Sequence, residues 1–284
     1  MPKEFALGYN QITVCKSLPV RRGYLNPEPG VDCALPRQIA KMNNTVKIFG
    51  QPGGRARSIG LLRAAFPLCA VFMLCGFTAG ALIPWPASSL PVKCLTVILA
   101  AIIVLISTLI TVKRIDSFLK GANGEVAVAY MLARLPDGYS IYHGVDISEN
   151  HDTFKTNDFD HVILTPSGVA IVETKNWKGE LAFKDGKIRI DDIIPERQPV
   201  PQVLNEAHDL SIWLEAKIGE SVEVIPYLCF AGTSLPSEIP AEVNGVRICS
   251  ADTIVNAVVA QVGTKPPLSS AARERISILL QQYV

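Results

Sequence analysis

The stretch DHVILTPSGVAIVETKNWKG, residues 160–179, sets two apolar runs on either side of a short turn and ends the second run in charge. Residues 169–172 suit a buried strand, yet Glu173, Lys175 and Lys178 follow almost directly. Charges at the end of a buried strand cost free energy unless something binds them. The stretch therefore indicates two adjacent strands whose charged end has a binding role.

Strand geometry relates the acidic residues of the two runs, because alternate residues of a strand share a face. If residues 166–167 form the loop, Leu164 pairs with Val169, and counting outward sets Asp160 opposite Glu173. A three-residue loop with a glycine bulge shifts the pairing by one and puts the two carboxylates on opposite faces. The sequence leaves both registers open.

Convergence of the two carboxylates would create a metal site. Asp160 and Glu173, with the Thr174 carbonyl nearby, would supply the oxygen ligands that Mg²⁺ or Mn²⁺ prefers. Lys175, two residues beyond Glu173 on the same face, would hold or activate a water and offset phosphoryl charge. Such a set suits metal-assisted phosphodiester hydrolysis. The competing interpretation is a solvated Glu-x-Lys ion pair at a strand end, with Asp160 an ordinary turn residue.

The chain from residue 115 to residue 284 has the pattern of a compact α/β domain. An amphipathic helix is predicted over 121–136, because its apolar residues recur on one face. Candidate strands cover 139–147, 160–165, 168–176, 180–190, 222–232 and 245–250, and further helices cover 200–219, 251–262 and 269–284. This order predicts a central mixed sheet with helices on both sides.

Several of these motifs, taken together, resemble a known family. They are Gly121, Gly124 and Glu125 opening the first helix, then FDHVIL, a short turn, and GVAIVETKNWKGEL. In this order they are similar to the NERD domain, the nuclease-related domain of the PD-(D/E)xK restriction-endonuclease-like superfamily. The similarity covers roughly residues 118–232. One departure is Phe159, which stands before Asp160 where the family usually has a polar residue.

The resemblance implies roles for five side chains and a restriction-endonuclease-like fold. Asp160 and Glu173 would bind the metal, and Lys175 would be the catalytic lysine. Glu125 would add a carboxylate from the first helix, although an acidic residue in a first turn is stabilised by the helix dipole anyway. Gln202 would orient a phosphate or a water, or would simply open its helix after Pro201.

Three further side chains have both a structural and a functional interpretation. Trp177 could stack on a base, but packing beside the sheet edge is the preferred interpretation. His161 faces away from Asp160 by strand parity, which favours a place in the core. His208 falls in a helix, where a surface position is the default expectation.

Two uncharged apolar segments, residues 64–85 and 94–112, precede the domain. At about 1.5 Å rise per residue, each can cross a hydrocarbon core of roughly 30 Å. The short connection predicts a transmembrane hairpin within residues 55–114. A buried helix pair of a soluble protein is the alternative, although soluble helices rarely run so long without a polar face.

Basic residues flank the predicted hairpin on its outer sides: Arg55, Arg57 and Arg63 before it and Lys113 and Arg114 after it, against Lys93 in the loop. By the positive-inside rule, both termini and the α/β domain face the cytoplasm, which places the protein in the inner membrane. Residues 1–54 mix Pro, Gly, Asn and basic residues without a period. They are predicted to be mostly disordered, near anionic lipid.

Three function classes remain at this point. The first is a membrane-anchored Mg²⁺-dependent endo- or exodeoxyribonuclease at the cytoplasmic face. The others are a non-catalytic module that binds nucleic acid or protein, and a membrane scaffold. The Asp, Glu and Lys set favours the nuclease, with DNA and the lipid bilayer as partners; no protein partner is indicated.

Charge balance opposes the nuclease interpretation, because DNA-binding domains usually show a basic surface. Residues 1–112 contain 11 Lys and Arg against 3 Asp and Glu, a net of +8, whereas residues 113–284 contain 16 against 23, a net of −7. A local basic patch could compensate through Lys175, Lys178, Lys184, Lys187 and Arg189.

Overall fold

A computed structural model describes residues 46–82, 90–148, 158–262 and 266–284. Most of the segment predicted to be disordered, residues 1–45, lies outside the described residues. Residues 83–89, which are the end of the first predicted span and the first part of the predicted loop, also lie outside the described residues.

Nine strands and five helices follow one another in the described chain. The strands are β1 (Lys47–Gly50), β2 (Ser140–Asp146), β3 (Asp158–Leu164), β4 (Val169–Lys175), β5 (Leu181–Lys184), β6 (Lys187–Ile190), β7 (Val224–Phe230), β8 (Glu242–Val243) and β9 (Val246–Ser250). The helices are α1 (Gly54–Leu82), α2 (Leu90–Leu132), α3 (Pro199–Ile218), α4 (Ile254–Val262) and α5 (Ser270–Leu280).

Seven of the strands form one mixed sheet in the order β1-β2-β3-β4-β7-β9-β8. Strands β2, β3 and β4 are antiparallel neighbours, whereas β4, β7 and β9 are parallel. Helices α3 and α5 pack on one face through residues such as Val203 and Ile276, and α2 and α4 pack on the other through Val128 and Ile254. The predicted mixed sheet flanked by helices is confirmed.

The β3–β4 turn takes the first of the two predicted registers, with Leu164 opposite Val169. The Thr165 hydroxyl accepts hydrogen bonds from the backbone N–H groups of Ser167 and Gly168, at 3.2 and 3.0 Å. These bonds close the loop without a bulge, and in this register Asp160 and Glu173 occupy the positions that follow the last pair, His161 with Val172.

One candidate strand, residues 180–190, is two strands in the structure. Asp185 and Gly186 form the turn between β5 and β6, and both have positive φ, at 54° and 72°. An Asp-Gly pair suits the tight turns that join hairpin strands, because those turns require positive φ. The prediction of one continuous strand was wrong at this dipeptide.

The second apolar segment and the first helix of the domain are one helix, the 43-residue α2. Helix α1 packs along it in the antiparallel sense, with Gly60 against Phe118 and the Cys75 thiol 3.9 Å from the Ala100 carbonyl oxygen. Only 6% of the most apolar window of either helix is buried. Such exposure is not what a helix pair inside a soluble core shows, and both helices are long and apolar enough to cross a membrane.

Strand β1 was not expected from the sequence, since it lies within the segment predicted to be disordered. It pairs in parallel with β2, and Phe49 stacks on Tyr142 with ring centroids 5.0 Å apart. Residues before the apolar helices therefore belong to the sheet. Four residues next to glycines carry too weak a period to be recognised, and their partner strand is about ninety residues away.

Candidate active site

The β3–β4 ladder stops where the acidic residues begin. Its last pair is His161 with Val172, and Asp160 and Glu173 occupy the next positions. There the Thr174 N–H donates to Asp160 Oδ2 at 2.8 Å instead of to a main-chain carbonyl. The Asp160 side chain thus ends the ladder and is held beside the Thr174 backbone.

Glu173 is at the centre of a hydrogen-bonded network on the face covered by α3. Its Oε1 accepts from Lys175 Nζ at 2.6 Å and from Gln202 Nε2 at 2.8 Å. Lys175 Nζ also donates to Gln202 Oε1 at 3.1 Å. Because Glu173 is only 7% exposed, this network compensates for burying its charge.

Gln202 extends the network to a carboxylate that the sequence did not single out. Its Nε2 also donates to Glu206 Oε1 at 2.8 Å, one turn further along α3. Residues four apart on a helix face the same way, so the spacing is compatible with this contact. The spacing is too common to have predicted it.

Glu125 reaches this end of the sheet from α2, whose buried side chains cover the opposite face. Its Oε2 accepts a hydrogen bond from the Gly53 N–H at 2.9 Å. Gly53 lies 72 residues earlier, before α1, and no sequence signal connected the two. A residue outside the predicted domain therefore holds one of its predicted site residues.

Burial, with crowding of like charge adding to it, raises the pKa values of Asp160, Glu125 and Glu206. Burial, followed by the charges of Glu173 and Glu125, raises the pKa of Asp160 well above its usual range. Burial, with Glu173 and Asp158 adding to it, raises the pKa of Glu125 to about 7 and that of Glu206 to about 8. Five acidic side chains thus influence one another at this end of the sheet.

Lys175 is held in its charged form. Burial alone would lower its pKa, but the carboxylates of Glu173 and Asp160 and the hydrogen bond to Glu173 outweigh burial and raise it. In this arrangement Lys175 acts as an ammonium donor, and any transfer of its proton requires a change in its surroundings.

The structure thus brings together Asp160, Glu173, Lys175 and Gln202 and places Glu125 within their electrostatic influence. It adds Glu206 and Asp158, which sequence reasoning missed. Asp158 lies two residues before Asp160 on the same strand face, so strand parity could have suggested it. The catalytic roles of all these residues stay predictions.

The other three side chains take the places preferred for them. Trp177 packs against Phe230 with ring centroids 5.6 Å apart. His161 is fully buried and pairs with His143, and His208 is exposed on α3. Each of the three has the structural role that its position suggested.

The donor set suits a hard divalent cation. Asp160 Oδ2 and Glu173 Oε1 hold the hydrogen bonds given above, and each group has a second oxygen for which the described residues offer no hydrogen-bond partner. The Thr174 carbonyl leaves the strand on the same side as its N–H, toward Asp160. Within the described residues no three His, Cys, Asp or Glu side chains already form a metal cage. Metal binding would therefore require the Asp160 and Glu173 carboxylates to move closer together.

Comparisons with known proteins find one family and two individual proteins that are similar to this chain over different lengths. Residues 120–231 match the NERD family, described as the nuclease-related domain, which confirms the predicted resemblance. An uncharacterized protein of Bacillus anthracis is 38% identical over 61 residues, which are 21% of this chain and 28% of that protein. The crystal structure of protein VC1899 from Vibrio cholerae shares 13% identity with a TM-score of 0.27, covering 83% of this chain and 57% of that one. The chain thus spans less than two thirds of either protein.

Proposed function

We propose, from the nuclease-related domain at residues 120–231, that this chain is a membrane-anchored nuclease that hydrolyses DNA phosphodiester bonds with Mg²⁺ or Mn²⁺. The observation that carries the proposal is the network in which Glu173, Lys175 and Gln202 meet at the end of β4, beside Asp160. Several carboxyl groups with raised pKa values at one sheet end are a liability for folding alone. They are useful where a cation is to be bound.

Each side chain has a definite task in this proposal. Asp160, Glu173 and the Thr174 carbonyl would hold the ion, whose chemistry is to polarise the phosphoryl oxygen and lower the pKa of a bound water. The Lys175 ammonium offsets charge on the phosphoryl oxygens. Gln202 bonds both Glu173 and Lys175 and so keeps the two aligned.

Glu206 and Glu125 act at the margin of this group. Glu206 accepts from the Gln202 amide and thereby fixes which way that amide points. Glu125 faces the group from α2 and is the carboxylate placed to bind a water on the side away from α3. Neither needs to touch the ion to affect the rate.

The cellular arrangement is the second part of the proposal. Helices α1 and α2 cross the inner membrane as a hairpin, and the basic residues on its outer flanks keep the domain in the cytoplasm. The protein should stay in the membrane fraction after alkaline carbonate washing. A reporter fused after Val284 that is active only outside the cytoplasm would overturn the orientation.

Purified full-length protein in lipid nanodiscs provides the activity test. Plasmid, linear and single-stranded DNA are incubated with Mg²⁺, with Mn²⁺ or with EDTA. Cleavage that requires a divalent ion supports the nuclease, and the substrate form that is cut distinguishes endo- from exonuclease action. DNA binding without cleavage under every metal condition would instead favour the non-catalytic binding module.

A further inference from the structure

The acidic group at the end of the sheet has too little positive charge to receive a phosphodiester. Glu125, Asp158, Asp160, Glu173 and Glu206 are all part of it. Lys175 is already bonded to Glu173 and Gln202. Even with a divalent ion bound, an approaching DNA backbone would benefit from a further cation.

The segment before α1 is fitted closely to this end of the sheet. Gly53 has φ of +68°, and a Cβ built there would lie 2.7 Å from the Ala122 carbonyl oxygen. Only glycine allows its N–H to reach the Glu125 carboxylate at this separation. Gly50 is similar, since its Cβ would lie 2.2 Å from the His143 carbonyl oxygen.

Arg57 is in the first turn of α1, directly after this closely packed segment. Its backbone N–H donates to the Gly53 carbonyl at 3.1 Å, and its Nη2 donates to Asn123 Oδ1 at 3.3 Å. The guanidinium is close enough to Glu125 to favour that carboxylate's charged form. Arg57 is nevertheless exposed, and a guanidinium has five N–H donors, of which this side-chain contact uses one.

We propose that Arg57 binds a backbone phosphate of the nucleic-acid substrate next to the acidic group, so that the first turn of α1 is part of the substrate site. This inference rests on the proposed function and names its substrate contact. A planar guanidinium suits the task, because it can meet two phosphate oxygens at once. The positive charge of Arg57 would also offset part of the net negative charge of residues 113–284.

A lipid headgroup is the competing ligand, and position argues against it. Arg57 lies seven residues before Ala64, where the first apolar segment begins, and it pairs with Asn123, eleven residues beyond Val112, the last residue of the second segment. These separations are about 10 Å and 16 Å along a helix axis. The headgroup layer is only roughly 5–8 Å deep on each side. Lys113 and Arg114 lie between and are better placed for lipid.

The test uses full-length protein in zwitterionic nanodiscs, with Lys175→Met as the background so that cleavage is slow while DNA binding is measured. Affinity for a labelled duplex is measured from low to high salt for Arg57→Gln, Arg57→Lys and Arg134→Gln. Arg134 is the matched control, because it is an exposed arginine in the turn just after α2 ends, over the Tyr130 ring. Thermal stabilisation by Mg²⁺ alone is recorded for each.

Arg57→Gln should weaken DNA binding by about tenfold and reduce the salt slope by about one, the value for one lost phosphate contact. Arg57→Lys should restore the slope and part of the affinity. Arg134→Gln should do neither, and Mg²⁺ should stabilise all three alike. Parental affinity and slope in Arg57→Gln, or an equal loss in Arg134→Gln, would overturn the proposal.

Two further results distinguish the phosphate contact of Arg57 from lipid binding and from the nuclease proposal. A defect of Arg57→Gln that appears only in nanodiscs with anionic lipid would assign Arg57 to headgroups and overturn the inference. If the parent protein never cuts DNA but Arg57→Gln still loses affinity and slope, the nuclease proposal fails while the phosphate contact stands.

Discussion

Two neighbouring pairs of ionisable side chains lie along β3, and they are handled in opposite ways. His161 is directly opposite His143 of β2, with Nδ1 atoms 2.8 Å apart and exposures of 0% and 3%. The second pair is Asp160 with Glu173. Asp160 is one residue before His161, beyond the end of the β3–β4 ladder, and remains partly exposed. The first pair is closed in the core, whereas the second opens at the sheet end.

The difference lies in how each pair removes its charge. Burial lowers the pKa of both histidines, to about 4 for His143, so the pair is neutral and one ring N–H donates to the other ring. One proton satisfies that contact. The acidic group has no such solution, because several carboxyl groups compete and their pKa values rise instead. The histidine pair can be explained by folding alone, whereas the crowded carboxyl groups fit the proposed binding of a cation.

The largest expected effect comes from a substitution in the acidic group. Glu173→Gln removes a charge that the ion needs but keeps the side-chain shape, so it should abolish stabilisation by Mg²⁺ and lower DNA cleavage by about a thousandfold or more. Thermal melting with and without Mg²⁺ and a plasmid nicking assay check both outcomes. Glu180→Gln, an exposed carboxylate shortly after β4, serves as control and should behave as the parent.

Lys175→Met separates the ion from the chemistry. The loss of the ammonium should lower cleavage by roughly 10²–10³-fold, the usual range for one catalytic charge. Mg²⁺ stabilisation should remain, since lysine is not a ligand. Melting curves that lost their response to Mg²⁺ would mean that Lys175 holds Glu173 in place for the ion and does not act on the phosphate.

His161→Leu tests the other side of the comparison. It leaves the His143 Nδ1 without its partner, which should cost about 1–3 kcal/mol in the free energy of unfolding. Cleavage per folded molecule should change little. Denaturant unfolding is compared with His208→Leu, at an exposed position on α3 where almost no loss is expected. Loss of cleavage far beyond loss of folded protein would show that the histidine pair supports the site directly.

Much of this contrast was readable from the sequence, and the limits have physical reasons. Strand parity separated His161 from Asp160, and the Glu-x-Lys spacing paired Glu173 with Lys175. The register could not be decided, because it depends on the Thr165 hydroxyl closing the loop. No local pattern predicts such a side-chain bond reliably.

The missed residues share a different reason. Glu206 joins the site only because α3 packs with Gln202 above β4, and many helices have a glutamate four residues after a glutamine. β1 precedes both apolar helices in the chain and β2 follows them. Gly53 meets Glu125 only because these two strands pair. Contacts between segments so far apart in the chain depend on tertiary structure and carry no periodic signal.

The smallest expected effect concerns Glu206, which lies at the edge of the acidic group and need not touch the ion. Its pKa is raised from 4.5 to about 8 by burial and by the charge of Glu173. A carboxyl whose folded pKa is raised contributes stability that is fully present below about pH 4.5 and is lost as the pH rises toward 8.

Glu206→Gln should therefore flatten the dependence of stability on pH. The amide oxygen can still accept from Gln202 Nε2, so at pH 5 in EDTA the variant and the parent should unfold alike. At pH 9 the variant should be the more stable one, by about 1–3 kcal/mol, because it no longer buries an ionised group. Some slope should remain, since Glu125 and Asp160 keep their raised pKa values. Parallel curves for the two proteins from pH 5 to pH 9 would show that Glu206 takes no part in the crowding of charge that distinguishes this end of the sheet from the histidine pair.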